Sequence, residues 1–250
     1  MRRGFLPSRA AAQRAIAEGR VLVLGLPAER AATLVDEQAR ISLVEDGPRW
    51  VGRGGLKLAG ALAAFQVEPA GRRCLDVGAS TGGFTDVLLA GGAATVAAVD
   101  VGYGQLDWRL RSDARVAVFD RTNFRTADPA ALGGPFDLVT VDVSFISASL
   151  LAGNLAACGR PCTDYVVLVK PQFEVGREQV GRGGLVTDPR LHAGAIRQVA
   201  RALHEAGIGL LAVSASSVTG ASGNREFFLH GRLGAPRTLP EEAIDTAVAP

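Results

Sequence analysis

The stretch from Cys74 to Leu106 constrains this chain more than any other. It opens on an apolar run that ends in Asp76-Val77-Gly78, passes through the small-residue loop Ala79-Ser80-Thr81-Gly82-Gly83, and continues into helix-compatible residues Phe84 to Ala90. A second apolar run, Thr95 to Val99, ends in Asp100. Strand, glycine loop, helix, strand and acid, in that order, make a nucleotide-binding βαβ unit. Glycines let the backbone approach a ligand, and an acid at the end of the second strand can accept hydrogen bonds from ribose hydroxyls. The expected fold is α/β, Rossmann-like, with a mostly parallel central sheet.

Two ligand classes fit the loop poorly. It lacks the GxGxxG spacing of dinucleotide sites, and no GxxxxGK[ST] phosphate loop occurs in the chain. What remains, Asp-x-Gly-x-small-x-Gly-Gly-Phe, resembles the first motif of class I S-adenosylmethionine methyltransferases. That cofactor carries a ribose and a cationic sulfonium but no phosphate, so acids and glycines suit it better than a basic cradle. The same residues would also serve as a plain tight turn between strand and helix.

Further apolar runs end in functional groups. Arg115 to Phe119 leads into Asp120, with Asn123 just beyond; Phe136 to Val141 leads into Asp142; Tyr165 to Val169 leads into Lys170. The carboxyl ends of parallel strands are where open α/β sheets bind ligands. Asp76, Asp100, Asp120, Asp142 and Lys170 would line that edge.

The basic residues narrow the chemistry. Of 27, only Lys57 and Lys170 are lysines. Arginine keeps its proton in a protein, whereas lysine can release one when its surroundings disfavour the charge. Lys57 stands at the start of an apolar helix, Leu58 to Phe65, where the helix dipole disfavours an ammonium.

The front of the chain reads as a separate module. Residues 1–53 hold nine arginines against six acids, although the whole chain carries only +2. Ser8 would cap a helix over Ala10 to Glu18, and Val21 to Leu24 and Ile41 to Val44 read as short strands. SRAAAQRAIAEGRVLVLG resembles the S4 RNA-binding module. That resemblance implies a small α+β unit over residues 1–48 that presents Arg9, Arg14 and Arg20 to phosphates, with Arg53 added from a polar joint over 49–56. Most of the family's first S4 helix has no counterpart ahead of Arg2.

Hydrophobic residues make up 48% of the chain, enough for a sizeable core over residues 57–233. Cys74, Cys158 and Cys162 form no disulfide or zinc framework, which points to a reducing cytoplasm. No signal peptide opens the chain and no apolar run reaches about 18 residues, so neither a membrane nor a metal is expected. Residues 171–189 read as a long functional loop. Residues 234–250 read as a disordered tail.

RWVGRGGLKL, LDVGASTGGFTD, AVDVGYGQL, DVSFIS, LVKPQFEVGR and GNREF occur in order. Together they resemble the TlyA family of S4-containing ribosomal RNA 2′-O-methyltransferases, also called haemolysins, whose catalytic half is similar to the FtsJ/RrmJ class. The resemblance implies a Lys-Asp-Lys-Glu catalytic set on Lys57, Asp142, Lys170 and Glu226. It also implies S-adenosylmethionine held by Asp76, Gly78, Ala79, Ser80, Thr81, Gly82, Gly83, Phe84, Asp100, Asp120, Asn123 and Asp142. The implied reaction is methyl transfer to a ribose 2′-hydroxyl, of cytidine in 16S or 23S ribosomal RNA, with the RNA or a ribosomal subunit as partner. A ribose hydroxyl is a weak nucleophile that must be oriented and must lose its proton as the bond forms. Lys170 is expected nearest that proton and Lys57 as a second cation, with both acids orienting the lysines. Two other classes stand beside this one, a membrane-active cytolysin and a non-catalytic RNA-binding protein on a methyltransferase scaffold.

Overall fold

The computed structural model describes residues 5–6, 8–17, 20–23, 26–28, 31–32, 35–36, 38–43, 50–236 and 239–249. Helix α1 (Arg9–Ala17) begins where Ser8 Oγ accepts a hydrogen bond from Ala11 N at 3.1 Å, the N-cap expected from the sequence. Strands β1 (Val21–Val23), β2 (Leu26–Pro27) and β3 (Ile41–Leu43) follow as an antiparallel sheet with β1 in the middle. The expected module boundary near residue 48 lies outside the described residues.

Helix α2 (Gly54–Phe65) opens the larger unit. Then come β4 (Arg73–Val77), α3 (Gly83–Ala90), β5 (Thr95–Val99), α4 (Trp108–Arg111), β6 (Val116–Phe119) and β7 (Phe136–Val141). The chain continues through α5 (Ala152–Cys158), β8 (Gly159–Val169), α6 (Pro171–Glu174), α7 (Pro189–Glu205), β9 (Ile208–Ala215), β10 (Phe227–Leu233) and α8 (Glu241–Val248). The seven strands lie in the order β6-β5-β4-β7-β8-β10-β9. The first five are parallel, and β10 inserts antiparallel between β8 and β9. The order reverses between β4 and β7, which makes a switch point at their carboxyl ends.

Side chains alternate across the central strands, so one sheet feeds two cores. Tyr165, Val167 and Val169 of β8 and Phe227 and Leu229 of β10 pack with Ile196, Val199 and Leu203 of α7. Val166, Leu168 and Phe228 point the other way, to Leu58 and Leu62 of α2 and Leu88 of α3. Burial on both faces is why these strands read as continuous apolar runs.

Four expectations need correction. Asp76 does not end its strand; it sits inside β4, fully buried. Helix α2 starts at Gly54, ahead of the expected Leu58, and Trp50 packs into its core cluster, so residues 50–56 are joined to the methyltransferase-like unit. The tail beyond Gly234 is not featureless, because α8 forms within it. Its two apolar anchors, Ile244 and Val248, lie four apart on one face and are buried. Arg197 of α7 pairs with Glu241 at 2.8 Å and Asp245 at 3.3 Å, and Arg225 donates to the carbonyls of Val248 and Ala249 at its end. A helix of eight residues leaves too short a period to stand out among prolines and acids. The expected long loop, 171–189, contains α6 and short 3-10 turns at Arg177–Gln179 and Arg182–Gly184.

At the amino-terminal edge of the sheet, Asp164 accepts hydrogen bonds from Arg72 (2.8 Å), Arg232 (2.9 Å) and His230 (3.0 Å). Burial alone would push its carboxyl up, but the bonds from His230, Arg232 and Arg72 outweigh that and hold it well below the usual carboxylate range. A native value below the unfolded one means this stability is fully present above about pH 4 and is lost as pH falls from there toward the native value. Asp164→Asn is expected to cost roughly 2 kcal/mol at pH 7, because it leaves buried His230 and the partly exposed Arg72 and Arg232 without their anion. Urea denaturation should show that gap shrinking below about pH 4, and a gap unchanged at pH 3 would remove the carboxylate from the account.

Candidate active site

The carboxyl ends of β4, β5 and β7 border a cleft of about 420 Å³. Gly78, Ser80, Asp100, Asn123 and Asp142 line it, with an apolar wall of Val77, Val99, Phe124, Ile146 and Leu151. Asp100 ties the loop to the sheet. Its Oδ2 accepts from Ser80 N at 2.8 Å and its Oδ1 from Gly102 N at 2.7 Å. Asn123 caps the 124–126 turn by accepting from Arg125 N at 3.1 Å.

The glycine loop is built less for ligand approach than the sequence suggests. At Gly78, with φ +85°, a Cβ would come within 2.4 Å of the Asp142 carbonyl oxygen, so this glycine lets β4 and β7 end side by side. At Gly83 a Cβ would fall 2.8 Å from Gly55 N, so this one admits α2 against α3. Gly82 faces Leu106 and Leu110, Thr81 O accepts from Asp107 N, and the Phe84 ring lies 6.2 Å from that of Phe228. Ala79 is buried. None of these four borders the cleft, nor does Gly83.

Asp76 and Asp120 also stand apart from it. Asp76 accepts from Thr85 Oγ1 at 2.6 Å and Thr140 Oγ1 at 3.4 Å. Burial pushes its carboxyl up to about 7 against those bonds, and the nearby Asp142 charge adds to the rise. Asp120 accepts from Arg111 at 2.7 Å and Gly104 N at 3.3 Å, and the Arg111 bond lowers its carboxyl.

Next to the cleft the two lysines meet the two expected acids. Lys57 Nζ donates to Glu226 Oε2 at 2.6 Å, and both side chains are nearly buried. Lys170 Nζ stands 2.6 Å from Asp142 Oδ1 and donates to Ser144 Oγ at 2.8 Å. The approach to Asp142 is close but misaligned for a hydrogen bond, so that buried oxygen lacks a directed donor. Phe227 pairs with Val169 at the end of the ladder, so Glu226 and Lys170 lie just beyond the paired ends of β10 and β8. Asp142 belongs to both groups, since it lines the cleft and pairs with Lys170.

The sequence reading passed over Gln105, Thr122, Arg125, Ser144 and Phe145, which also line the cleft. Ser144 and Phe145 follow β7 directly, and loops after parallel strands were the available signal. Phe145 is 92% exposed and holds φ +65°, rare for a bulky residue. Its ring packs 5.2 Å from that of Phe173. Of the expected RNA contacts, Arg9 is exposed and Arg20 half-buried, while the Arg14 side chain lies outside the described residues. Arg53 donates to the Thr219 carbonyl at 3.1 Å, in the loop ahead of Glu226. Among the described residues no cluster could hold a metal ion, and no helix is long and apolar enough to cross a membrane.

Residues 50–233 match the FtsJ-like methyltransferase family. The chain is 51% identical over 249 residues to the 16S/23S rRNA (cytidine-2′-O)-methyltransferase TlyA of Mycobacterium tuberculosis, covering 99% of this chain and 93% of that one. It is 35% identical over 228 residues to Hemolysin A of Brachyspira hyodysenteriae, covering 91% of this chain and 95% of that one. A solved structure from Streptococcus thermophilus, provisionally called a hemolysin, superimposes with a TM-score of 0.79 at 37% identity, covering 99% of this chain and 91% of that one. Six ordered motifs, the sheet order and these likenesses agree, and the chain belongs to the TlyA family of FtsJ-like methyltransferases.

Proposed function

We propose that this chain transfers the methyl group of S-adenosylmethionine to a ribose 2′-hydroxyl of cytidine in ribosomal RNA, acting in the cytoplasm. The observation that carries the reading is that both lysines of the chain are nearly buried and paired with acids where β7 and β8 end and β10 begins, beside the cleft. The name of the Mycobacterium tuberculosis relative supplies the substrate class.

The cleft suits the cofactor. Its apolar wall fits an adenine, and the remaining lone pairs of Asp100 can accept from ribose hydroxyls. When bound, S-adenosylmethionine supplies an electrophilic methyl on a sulfonium. The chain's own residues do the rest. Lys170, fixed by Asp142 and Ser144, handles the proton of the ribose hydroxyl. Lys57, held by Glu226, steadies the developing alkoxide. Phe145, exposed beside the pair, offers a ring face to a base, the usual way proteins hold unstacked RNA bases.

Three outcomes are expected. Asp100→Ala should weaken S-adenosylmethionine binding by about 1–3 kcal/mol through lost hydrogen bonds, read by isothermal titration, with melting temperature as the control for its loop-anchoring role. Unchanged affinity in a folded variant would take Asp100 out of the site. Deleting residues 1–48 should weaken RNA binding while cofactor affinity holds, and the loss should shrink at high salt because phosphate contacts act largely by counterion release. Equal RNA affinity at low salt would show that the module is not the anchor.

The third tests the lysines. Arginine keeps its charge at any working pH and its planar fork is larger. Lys170→Arg should lose roughly 10²-fold or more in single-turnover methyl transfer to ribosomal RNA, the scale of a lost proton-transfer group, and Lys57→Arg somewhat less. Cofactor binding should survive in both. A Lys170→Arg enzyme within a few-fold of wild type would reduce this lysine to a positioning charge.

A further inference from the structure

The Lys170–Asp142 pair is carried by two short segments, residues 142–148 after β7 and residues 170–174 around α6. Glu174, the last residue of α6, reaches across from one to the other. Its Oε1 accepts from Ala148 N at 2.8 Å, and its Oε2 accepts from Ser147 Oγ and, at 3.3 Å, from Gln198 Nε2 of α7. Its residue surface is only 9% exposed, and none of these donors is a cation. Burial pushes the Glu174 carboxyl up, against the pull of Ser147, Ala148 and Gln198. A buried acid without a counter-charge is costly, so it calls for a reason.

The covalent layout supplies one. Lys170 is the N-cap of α6 and Glu174 its last residue, so one helical turn links them rigidly. Ser147 caps the Ala148–Leu151 turn, five residues after Asp142. The chain and the two contacts therefore close a ring: Lys170 to Asp142, along to Ser147, across to Glu174, and back through α6. A ring fastened at two points cannot slide, whereas a single ion pair can swing.

We propose that Glu174 is a positioning residue for methyl transfer, bracing residues 142–148 against α6 so that Asp142 and Lys170 keep their mutual geometry. This rests on the reading of Lys170 given above.

The test uses the full chain, with single-turnover methyl transfer, S-adenosylmethionine titration and melting measured side by side. Glu174→Ala is expected to slow transfer roughly 10- to 100-fold, the scale of a small misplacement of reacting groups, while the cofactor Kd stays within about threefold. Glu174→Gln is expected to remain within a few-fold of wild type. Its amide can accept from Ala148 N and donate to Ser147 Oγ, and the Gln198 amide can turn to match. A folded Glu174→Ala enzyme at wild-type rate overturns the proposal. So does a loss of cofactor affinity as large as the loss of rate, which would make Glu174 a support of the cleft. A Glu174→Gln enzyme as slow as Glu174→Ala would replace the brace with a role for charge. Should Glu174→Ala not fold, Ser147→Ala removes one side of the brace, with roughly a three- to tenfold loss expected and a wild-type rate fatal to the idea. The two readings fail separately. A fast Lys170→Arg enzyme sinks the proton-handling role, whereas a fast Glu174→Ala enzyme beside a slow Lys170→Arg one sinks the brace alone.

Discussion

Taking an ammonium out of water is costly unless an anion meets it, and this fold does so twice. The side chains of Lys57 and Lys170 are about one-tenth exposed, and each finds one carboxylate at 2.6 Å. Much of the topology serves those two meetings. Lys57 lies on the helix ahead of the sheet and Glu226 lies 169 residues later, ahead of the last strand. They meet because β10 inserts antiparallel beside β8 rather than extending the parallel run. Lys170 and Asp142 meet because β7 and β8 are parallel neighbours whose ends lie on the same edge. Had β10 joined the outer edge beyond β9, Lys57 would be a buried cation without its anion.

Backbone contact sets the second constraint. The central strands β4 and β7 end so close that a side chain on Gly78 would strike the Asp142 carbonyl. Asp142 N also donates to Val77 O at 2.9 Å, which continues the ladder up to the site. The position of the Asp142 carboxylate thus depends on a glycine 64 residues earlier. A glycine in such a loop is commonly credited to ligand binding. Here Gly78 and Gly83 are required by the protein's own backbone, and the cleft exists because they permit close packing around it.

This shows what the sequence could and could not disclose. The parallel strands were legible because burial on both faces makes each an apolar run, and strand-end residues follow from where such runs stop. Asp142 and Lys170 were found in that way. Asp76 was misread because its run stops one residue later, at Val77, and an acid buried inside a strand looks the same in sequence as one at its end. Helix α8 was missed because its contacts come from Arg197 and Arg225, distant in sequence. Ser144, Phe145 and Glu174 escaped notice for a related reason. Their roles depend on how two loops face each other, and nothing local records that.

Strand β8 carries the contrast between structure and function along its own length. Midway along it, beside the start of β7, Asp164 takes donors from three side chains and is fully satisfied. At its far end, Lys170 leads into a region of incomplete pairing. Only three buried side-chain polar atoms among the described residues lack a hydrogen bond: Asp142 Oδ1, Gln172 Oε1 and His192 Nδ1. Two of these sit within two residues of the Lys170–Asp142 pair in sequence. Folded proteins rarely leave such atoms alone, because each costs about 1–3 kcal/mol when unmet. One edge of the sheet is therefore closed by hydrogen bonds, whereas at the other Asp142 Oδ1 meets only the misaligned Lys170 ammonium at 2.6 Å and Gln172 Oε1 has no donor.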